Sequence, residues 1–332
     1  MKAKRSLTRL FFSKPVNVLA KTSRTLSLRS DYQKNIKIRS MTFDEAEWTR
    51  SEWASKGEGW PSMVGGVLPN YNQDNEGFYT MELEGQRIGS ISMITFNRLK
   101  MAYVGFYILR EPHRGKGLGR VLMEEVINHS EKNRGITTFG LNCADAAVPL
   151  YEKFGFKTYT KDDFWSLKLP DRDDYQVKFN DQQLSDVSLF PAALLSYDET
   201  VYGDARTNYL HAVCSKPSTI TVLCEEEGKI TGYGVISERL PAKAEEHKSY
   251  RIGPLYADNS DVAAEILNGL IASAAQKPST IFLETPGTNP SSAKIMSQFG
   301  FTKTFTMSKM YRGEPPKHDE EKIFGYSSVA FG

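Results

Sequence analysis

Two stretches of this chain, about 145 residues apart, carry the same landmarks in the same order. Residues 80–94 read TMELEGQRIGSISMI and residues 221–236 read TVLCEEEGKITGYGVI, so Gly85 and Gly89 answer Gly228 and Gly232 at an offset of 143. Further on, Phe154-Gly155-Phe156 returns as Phe299-Gly300-Phe301 at an offset of 145. Each glycine stretch reads as a strand, a tight turn and a second strand. Each FGF closes a helix-like stretch (146–153 and 291–298), where glycine suits a helix C-terminus, and precedes a strand-like run. Matching order at near-constant spacing implies a duplicated domain. A chain of 332 residues has room for two, each with its own core.

In the first copy the pattern predicts a strand at 36–39, a helical region at 43–56 and two strands flanking Gly85. A strand at 101–110, a helix at 117–132, a strand at 136–142, the helix before FGF and a strand ending near Leu169 complete it. That order is a mixed α/β domain, with helices packed on a twisted sheet. Residues 170–184 are polar and rich in Asp, as a linker would be. The expected division is therefore 36–170, a linker at 171–184, 185–313, and a C-terminal tail at 314–332.

Charge is unevenly spread along this plan. The total is only +2, which argues against a general nucleic-acid binder. Yet residues 1–30 hold eight basic residues, eight Ser or Thr and no acid. Residues 31–332 are left with 34 basic against 40 acidic side chains, a net charge of −6. A basic, Ser-rich, acid-free and roughly amphipathic start reads as a mitochondrial transit peptide, implying a matrix destination. The other reading is a disordered basic tail on a cytoplasmic protein. No apolar run reaches the roughly 18 residues of a transmembrane helix, so no membrane partner is expected. Cys143, Cys214 and Cys224 are too few for a disulfide scaffold and too scattered for a zinc site, so no metal is expected.

The chemical signal is concentrated in His113-Arg114-Gly115-Lys116-Gly117-Leu118-Gly119-Arg120, between the strand at 101–110 and the helix after it. Glycines at alternate positions let backbone amides approach an anion, and a helix start adds unpaired N–H groups and positive dipole. Arg114, Lys116 and Arg120 add charge. The stretch reads as a phosphate or pyrophosphate site. It lacks the GxxxxGK[ST] of a P-loop, and Arg120 stands where a dinucleotide fingerprint needs its third glycine.

The order R-x-x-G-x-G, carried by Arg114, Gly117 and Gly119, resembles the coenzyme-A loop of the GNAT acyltransferase superfamily. About 30 residues on, Leu150-Tyr151-Glu152-Lys153-Phe154-Gly155-Phe156 resembles that family's LYEKxGF segment, with Ala147 at its small-residue position. The resemblance covers about residues 36–170. It implies two tandem GNAT folds, each a twisted, mostly antiparallel sheet with flanking helices. It implies acetyl-CoA as co-substrate, with pyrophosphate on the amides of residues 115–120 (Gly115, Lys116, Gly117, Leu118, Gly119, Arg120) and pantetheine in a splay beside the strand ending at Leu109. A backbone N–H near Leu109 would face the oxyanion, and Tyr151 would protonate the departing thiolate. An amine would attack the thioester directly.

Other roles are less plainly written. Some relatives carry a Glu on the strand before the loop; here Tyr103 occupies that place, and no acid lies between Met101 and Leu109. The base is left among Glu82, Glu84 or Asp145 acting through water, bulk solvent, and His113. Ala144 replaces an Asn that the family often has, and Asn142 is out of register. Cys143 reads as a buried strand cysteine rather than a nucleophile. The second copy has lost the cradle: Leu255-Tyr256-Ala257-Asp258-Asn259-Ser260 has no glycine, Met296 replaces Tyr151, and only Asn289 keeps the family's Asn. Asp198, Gly203, Arg206 and the closing KIFGYSSVAFG resemble the C-terminal domain of certain tandem acetyltransferases. Arg206 would bind an acidic group or, as most such charges are structural, pair with Asp198. Between Phe43 and Tyr79, Asp44, Glu45, Glu47, Glu52, Glu58, Asp74 and Glu76 mingle with Trp48, Trp53, Trp60, Tyr71 and Phe78. That mixture suits a cationic small-molecule amine, or simply a solvated amphipathic helix. The expected activity is N-acetyl transfer; the other reading is a non-catalytic acyl-CoA-binding scaffold.

Overall fold

The computed structural model describes residues 35–57, 66–169, 192–214, 219–240, 248–274 and 278–328, with the two-residue strands Asn17–Val18 and Ser62–Met63. The transit-peptide reading (1–30, apart from Asn17–Val18) and the linker (171–184) fall outside the described residues.

The first copy runs β1 (Ile36–Ser40), α1 (Phe43–Thr49), a π-helical continuation (Arg50–Gly57), α2 (Leu68–Gln73), β2 (Phe78–Leu83), β3 (Gln86–Phe96) and β4 (Met101–Leu109). It ends with α3 (Leu118–Arg134), β5 (Thr138–Cys143), α4 (Val148–Glu152) and β6 (Lys157–Leu169). The second runs α5 (Ala192–Tyr202), α6 (Thr207–Cys214), β7 (Thr219–Glu226), β8 (Lys229–Leu240), β9 (Lys248–Ala257), α7 (Ser260–Ala274), β10 (Ser279–Thr285), α8 (Pro290–Gln298) and β11 (Thr302–Arg312). A last strand, β12 (Ile323–Gly325), follows.

Local chemistry explains the elements that the sequence predicts. The β2–β3 and β7–β8 hairpins turn on Glu84-Gly85 and Glu227-Gly228, all four residues at positive φ. Consecutive left-handed residues give the turn that matches strand twist, and glycine supplies one of them without cost. A capping box starts α1: Thr42 accepts from the Glu45 amide and the Glu45 carboxylate accepts from the Thr42 amide. The stripe Leu118, Leu122 and Val126, with Met123 and Ile127, buries α3 against the sheet. Such side chains contribute about 1.5–3 kcal/mol each on full burial.

The two copies share one sheet, in the order β1-β2-β3-β4-β5-β11-β6-β10-β9-β8, with β7 beside β8. The last strand of each copy has crossed into the other: β11 lies antiparallel to β5, and β6 lies antiparallel to β10. At the centre β6 and β11 pair with each other. The fold class is as predicted, mixed α/β with two mostly antiparallel sheets, but those sheets are joined by exchange rather than by a linker alone. Phe96, Tyr103, Tyr202, Tyr233, Tyr256 and Tyr311 are buried in a core that both copies build.

The stretch 314–332, read from sequence as a tail, is part of the fold as far as it is described. β12 pairs antiparallel with β9, placing Leu255 opposite Gly325 and Tyr256 opposite Ile323. Ile323 and Phe324 are both buried, as a strand enclosed on both faces must be. Beyond it, Ser327 accepts from the Arg206 guanidinium, and its carbonyl accepts from Arg251 at 2.6 Å.

Candidate active site

The parallel pair β4–β5 holds for only three rungs, Met101–Thr138, Ala102–Phe139 and Tyr103–Gly140. Past Tyr103 the strands part. β4 stays on β3 as far as Leu109–Gly89, and β5 stays on β11 through Cys143. The result is a split with one strand on each side. A bulge sharpens it: the β3–β4 register shifts between Ser90 and Ser92, and Phe106 sits at φ 46°. Ser90 Oγ fixes the bulge by donating to the Phe106 carbonyl at 2.9 Å. A non-glycine residue in that region costs of order 1–3 kcal/mol and persists where its surroundings hold it.

Successive amides of a strand point to opposite edges. The Arg110 amide donates to Ile88 on β3, so the Leu109 N–H faces the split. The Leu109 carbonyl faces the same way and accepts from Arg114 Nε at 2.7 Å. Arg114 therefore staples the loop to the end of β4. Gly115 (φ 71°) and Gly117 (φ 79°) are left-handed, and Gly117 is the N-cap of α3, with no side chain capping the helix. The first amides of α3 thus lack a side-chain acceptor. Leu118 is buried and anchors the turn, while Lys116 and Arg120 are exposed; Arg120 pairs with Glu124 at 2.7 Å. Gly119 is needed for close approach: a Cβ there would stand 2.7 Å from the Tyr107 hydroxyl.

Tyr151, on α4, lies across the split from β4, its ring 6.3 Å from that of Tyr107 and edge-on to Phe156. Among the described residues nothing hydrogen-bonds its hydroxyl. Burial, with Cys143 nearby, pushes it up to about 12, so it stays protonated near neutrality. Burial also pushes the Cys143 thiol up to about 11, which leaves it a poor nucleophile, in keeping with the sequence reading.

The acidic candidates are mostly engaged. Glu82 and Glu45 both hold Arg39, at 2.6 and 2.7 Å. Glu84 is a turn residue that accepts from Asn35. Asp145 pairs with Lys161 at 2.6 Å and accepts from Ser308 at 2.8 Å, and both keep it below the usual carboxylate range. Glu47 pairs with Arg50, Glu52 with Lys56, and Asp74 with Arg134. The acids between Phe43 and Tyr79 are therefore largely structural, which removes most of the charge expected to attract a cationic acceptor; Glu58 and Trp60 lie outside the described residues. Trp48 and Trp53 meet edge to face, with the Arg87 guanidinium 4.5 Å over Trp48. His113 lies in the short helical turn of the loop, and among the described residues its buried Nδ1 has no hydrogen-bond partner.

On the face of the sheet that carries Tyr103, a polar cluster that sequence reading missed surrounds the base of the split. The Tyr103 hydroxyl donates to Asn142 Oδ1, and Asn142 Nδ2 donates to Asp162 at 2.7 Å. Lys309 comes from β11 of the second copy, and Asp162 from β6, the strand the first copy gives up, so the sequence order of the first copy does not announce their meeting. Among the described residues no group of His, Cys, Asp and Glu could hold a metal ion. No described helix is long and apolar enough to cross a membrane.

The second copy has the same split in a different state. Its β9–β10 pairing stops at Ile252–Leu283, and β12 fills the gap beyond. Asn289 donates to the carbonyls of Glu321 and Ile323 at 2.9 and 3.0 Å. At the start of α7, Asn259 Oδ1 accepts from the Asp261 and Val262 amides, so the donors left uncapped in α3 are spent here. Arg206 pairs with Asp198 in full burial, the expected ion pair rather than a ligand site.

Comparison with known proteins finds a family match in each copy. The profile of the acetyltransferase (GNAT) family matches residues 44–156, and that of an acetyltransferase (GNAT) domain matches residues 194–325. The holothin acyltransferase of Pseudoalteromonas sp. (strain SANK 73390) is 26% identical over 283 residues, 85% of this chain and 90% of that protein. The uncharacterised N-acetyltransferase YitH of Bacillus subtilis (strain 168) is 28% identical over 253 residues, 74% of this chain and 81% of that one. A Pyrococcus horikoshii protein classed as an acetyltransferase shares the fold at a TM-score of 0.70 and 19% identity, covering 94% of this chain and 99% of its own. A tandem GNAT protein from the clavulanic acid biosynthesis pathway does so at 0.55 and 11% identity, covering 85% and 99%. A glycine loop at an uncapped helix start beside a split sheet, a second copy whose split is filled by β12, and two family matches lead to the same place: this chain belongs to the GNAT acyltransferase superfamily and carries two of its domains in tandem.

Proposed function

We propose that the first copy transfers an acyl group, acetyl in the first instance, from its coenzyme-A thioester to a small-molecule amine. The observation that carries this reading is the split beyond Tyr103–Gly140, which opens under an uncapped helix start in one copy and is filled by chain in the other. The amides of residues 115–120 would take the pyrophosphate, with Arg114 holding the loop and Lys116 and Arg120 adding charge. The Leu109 N–H would sit against the thioester oxygen, where a donor is worth most as negative charge develops. Tyr151 would give its proton to the departing thiolate. The likeness to the Pseudoalteromonas and Bacillus proteins supports acyl transfer over much of the chain.

The test is release of free thiol from acetyl-CoA by the full chain, across a panel of primary amines and a lysine-bearing protein. Turnover with at least one small amine is expected. Binding of acetyl-CoA without turnover by any acceptor would favour a scaffold, and turnover of protein lysines alone would overturn the acceptor class. Residues 1–30 are proposed as a mitochondrial address: fused to a fluorescent protein they should direct it there, and a diffuse cytosolic signal counts against it.

A further inference from the structure

Lys309 lies on β11, directly opposite Asn142 of β5. It is 1% exposed, yet among the described residues its ammonium makes neither a hydrogen bond nor an ion pair. Buried charge is ordinarily paired, because an ammonium taken out of water loses its hydration and needs a partner in return. Instead Nζ stands 4.0 Å over the ring of Tyr326, with the rings of Tyr311 and Tyr103 at 5.9 and 6.0 Å. Among the described residues the Tyr311 hydroxyl, on the same strand face, is buried without a hydrogen-bond partner. Two unsatisfied polar heads so close together call for an explanation in chemistry.

Their position supplies one. Tyr103 is the last paired residue before β4 and β5 part, and Gly140 opposite it must be glycine: a Cβ there would meet both Tyr103 and Tyr311 at 2.8–2.9 Å. Lys309 thus shares a sheet face with Tyr103 and Asn142, its Nζ 6.0 Å from the Tyr103 ring at the base of the split. The carboxylates named from sequence are held in ion pairs or lie in turns. Of the charged groups facing Lys309, Asp162 is held by Asn142, the Gly287 amide and Tyr326, Glu320 accepts from Tyr159, and His318 donates to the Tyr202 carbonyl.

Resting on the acyl-transfer reading, we infer that Lys309 is the proton acceptor of the reaction, taking a proton from the acceptor nitrogen as that nitrogen attacks the thioester. The new N–C bond forms as the C–S bond breaks. One N–H proton passes to Lys309 Nζ, and the thiolate takes the phenolic proton of Tyr151. Both groups are restored by exchange with water. Burial lowers the Lys309 ammonium below the ordinary lysine value, while Asp162 and Glu320 pull it back up, which suits a base that must both accept and return a proton. The aromatic faces then stabilise the ammonium once formed.

The experiment compares wild type, Lys309→Met and Lys309→Arg for amine-dependent thiol release over a range of pH, with acetyl-CoA affinity measured by calorimetry. A base of this kind contributes roughly 10²-fold or more, so both variants should lose at least that in kcat while affinity stays within twofold. Arginine keeps the charge and cannot act as a base, so its failure separates proton transfer from electrostatics. Asp162→Asn should move the acidic limb of the wild-type pH profile downward, a result that stands even where a Lys309 variant does not fold. Retained turnover in either Lys309 variant, an unmoved limb in Asp162→Asn, or accumulation of acetyl on Lys309 itself by mass spectrometry would overturn the assignment alone. Absence of turnover by wild type would take the acyl-transfer reading down with it.

Discussion

Asn289 donates to the carbonyl of Ile323 at 3.0 Å, and through that bond the second copy closes its own split with its own chain. In the family pattern this asparagine occupies the place that Ala144 takes in the first copy. Its amide here serves a strand rather than a ligand, and its Oδ1 caps α8 by accepting from Ser291.

Asn289→Ala should therefore cost stability. It removes an N-cap and leaves two carbonyls without their donor, a loss of about 2–4 kcal/mol. Urea unfolding measures it; a change under about 0.5 kcal/mol would show that β12 is held by other contacts.

Gly117→Glu should abolish acyl-CoA binding while leaving the fold intact, since residue 117 is exposed and the new carboxylate would face pyrophosphate. Gly117→Ala carries only the backbone strain of a left-handed residue, of order 1–2 kcal/mol, and should weaken binding less. Equal affinity in both variants and wild type, by calorimetry, would remove the loop from the site.

Tyr151→Phe should lower kcat by roughly 10²-fold, the scale of a lost general acid, with little change in the KM for acyl-CoA. The ring contacts with Tyr107 and Phe156 are preserved in Phe, so melting should be unchanged. Activity within threefold of wild type would reduce Tyr151 to a packing residue.

His318 makes an acid-sensitive contribution to stability. Burial, with Lys309 and Arg206 nearby, lowers it to about 3, and its ring donates to the Tyr202 carbonyl in the neutral form. Between pH 6.5 and about 3 the unfolded chain binds a proton that the folded chain refuses. Stability therefore falls as pH falls through that window, by up to about 1.4 kcal/mol per pH unit. His318→Gln should flatten that part of the pH–stability curve; an unchanged slope would place the acid sensitivity elsewhere.

What the sequence made legible was local. The paired turns at Gly85 and Gly228 follow from glycine beside alternating strands, and the loop at Arg114–Arg120 from glycines beside a helical apolar stripe. Partners across the sheet were not legible. Alternation assigns a face to Lys309 and Tyr311, but says nothing of which strand lies alongside, so the cluster with Asn142 and Asp162 could not be seen. Residues 314–322 are mostly polar, which made the apolar Ile323-Phe324 behind them look like the end of a tail. The acids near α1 had visible charge but invisible partners, since Arg39 and Arg134 lie on other elements.

The crossed strands also set a timetable for synthesis. β5 leaves the ribosome with its neighbour β11 still about 160 residues away in the chain, roughly ten to thirty seconds at ordinary elongation rates. Through that interval the first copy has its cradle and both of its tyrosines, Tyr103 and Tyr151, but an unpaired edge where Lys309 belongs. The enzyme is thus assembled last at the point where its chemistry is proposed to happen, and a chain stopped anywhere before β11 carries the loop but not the complete site.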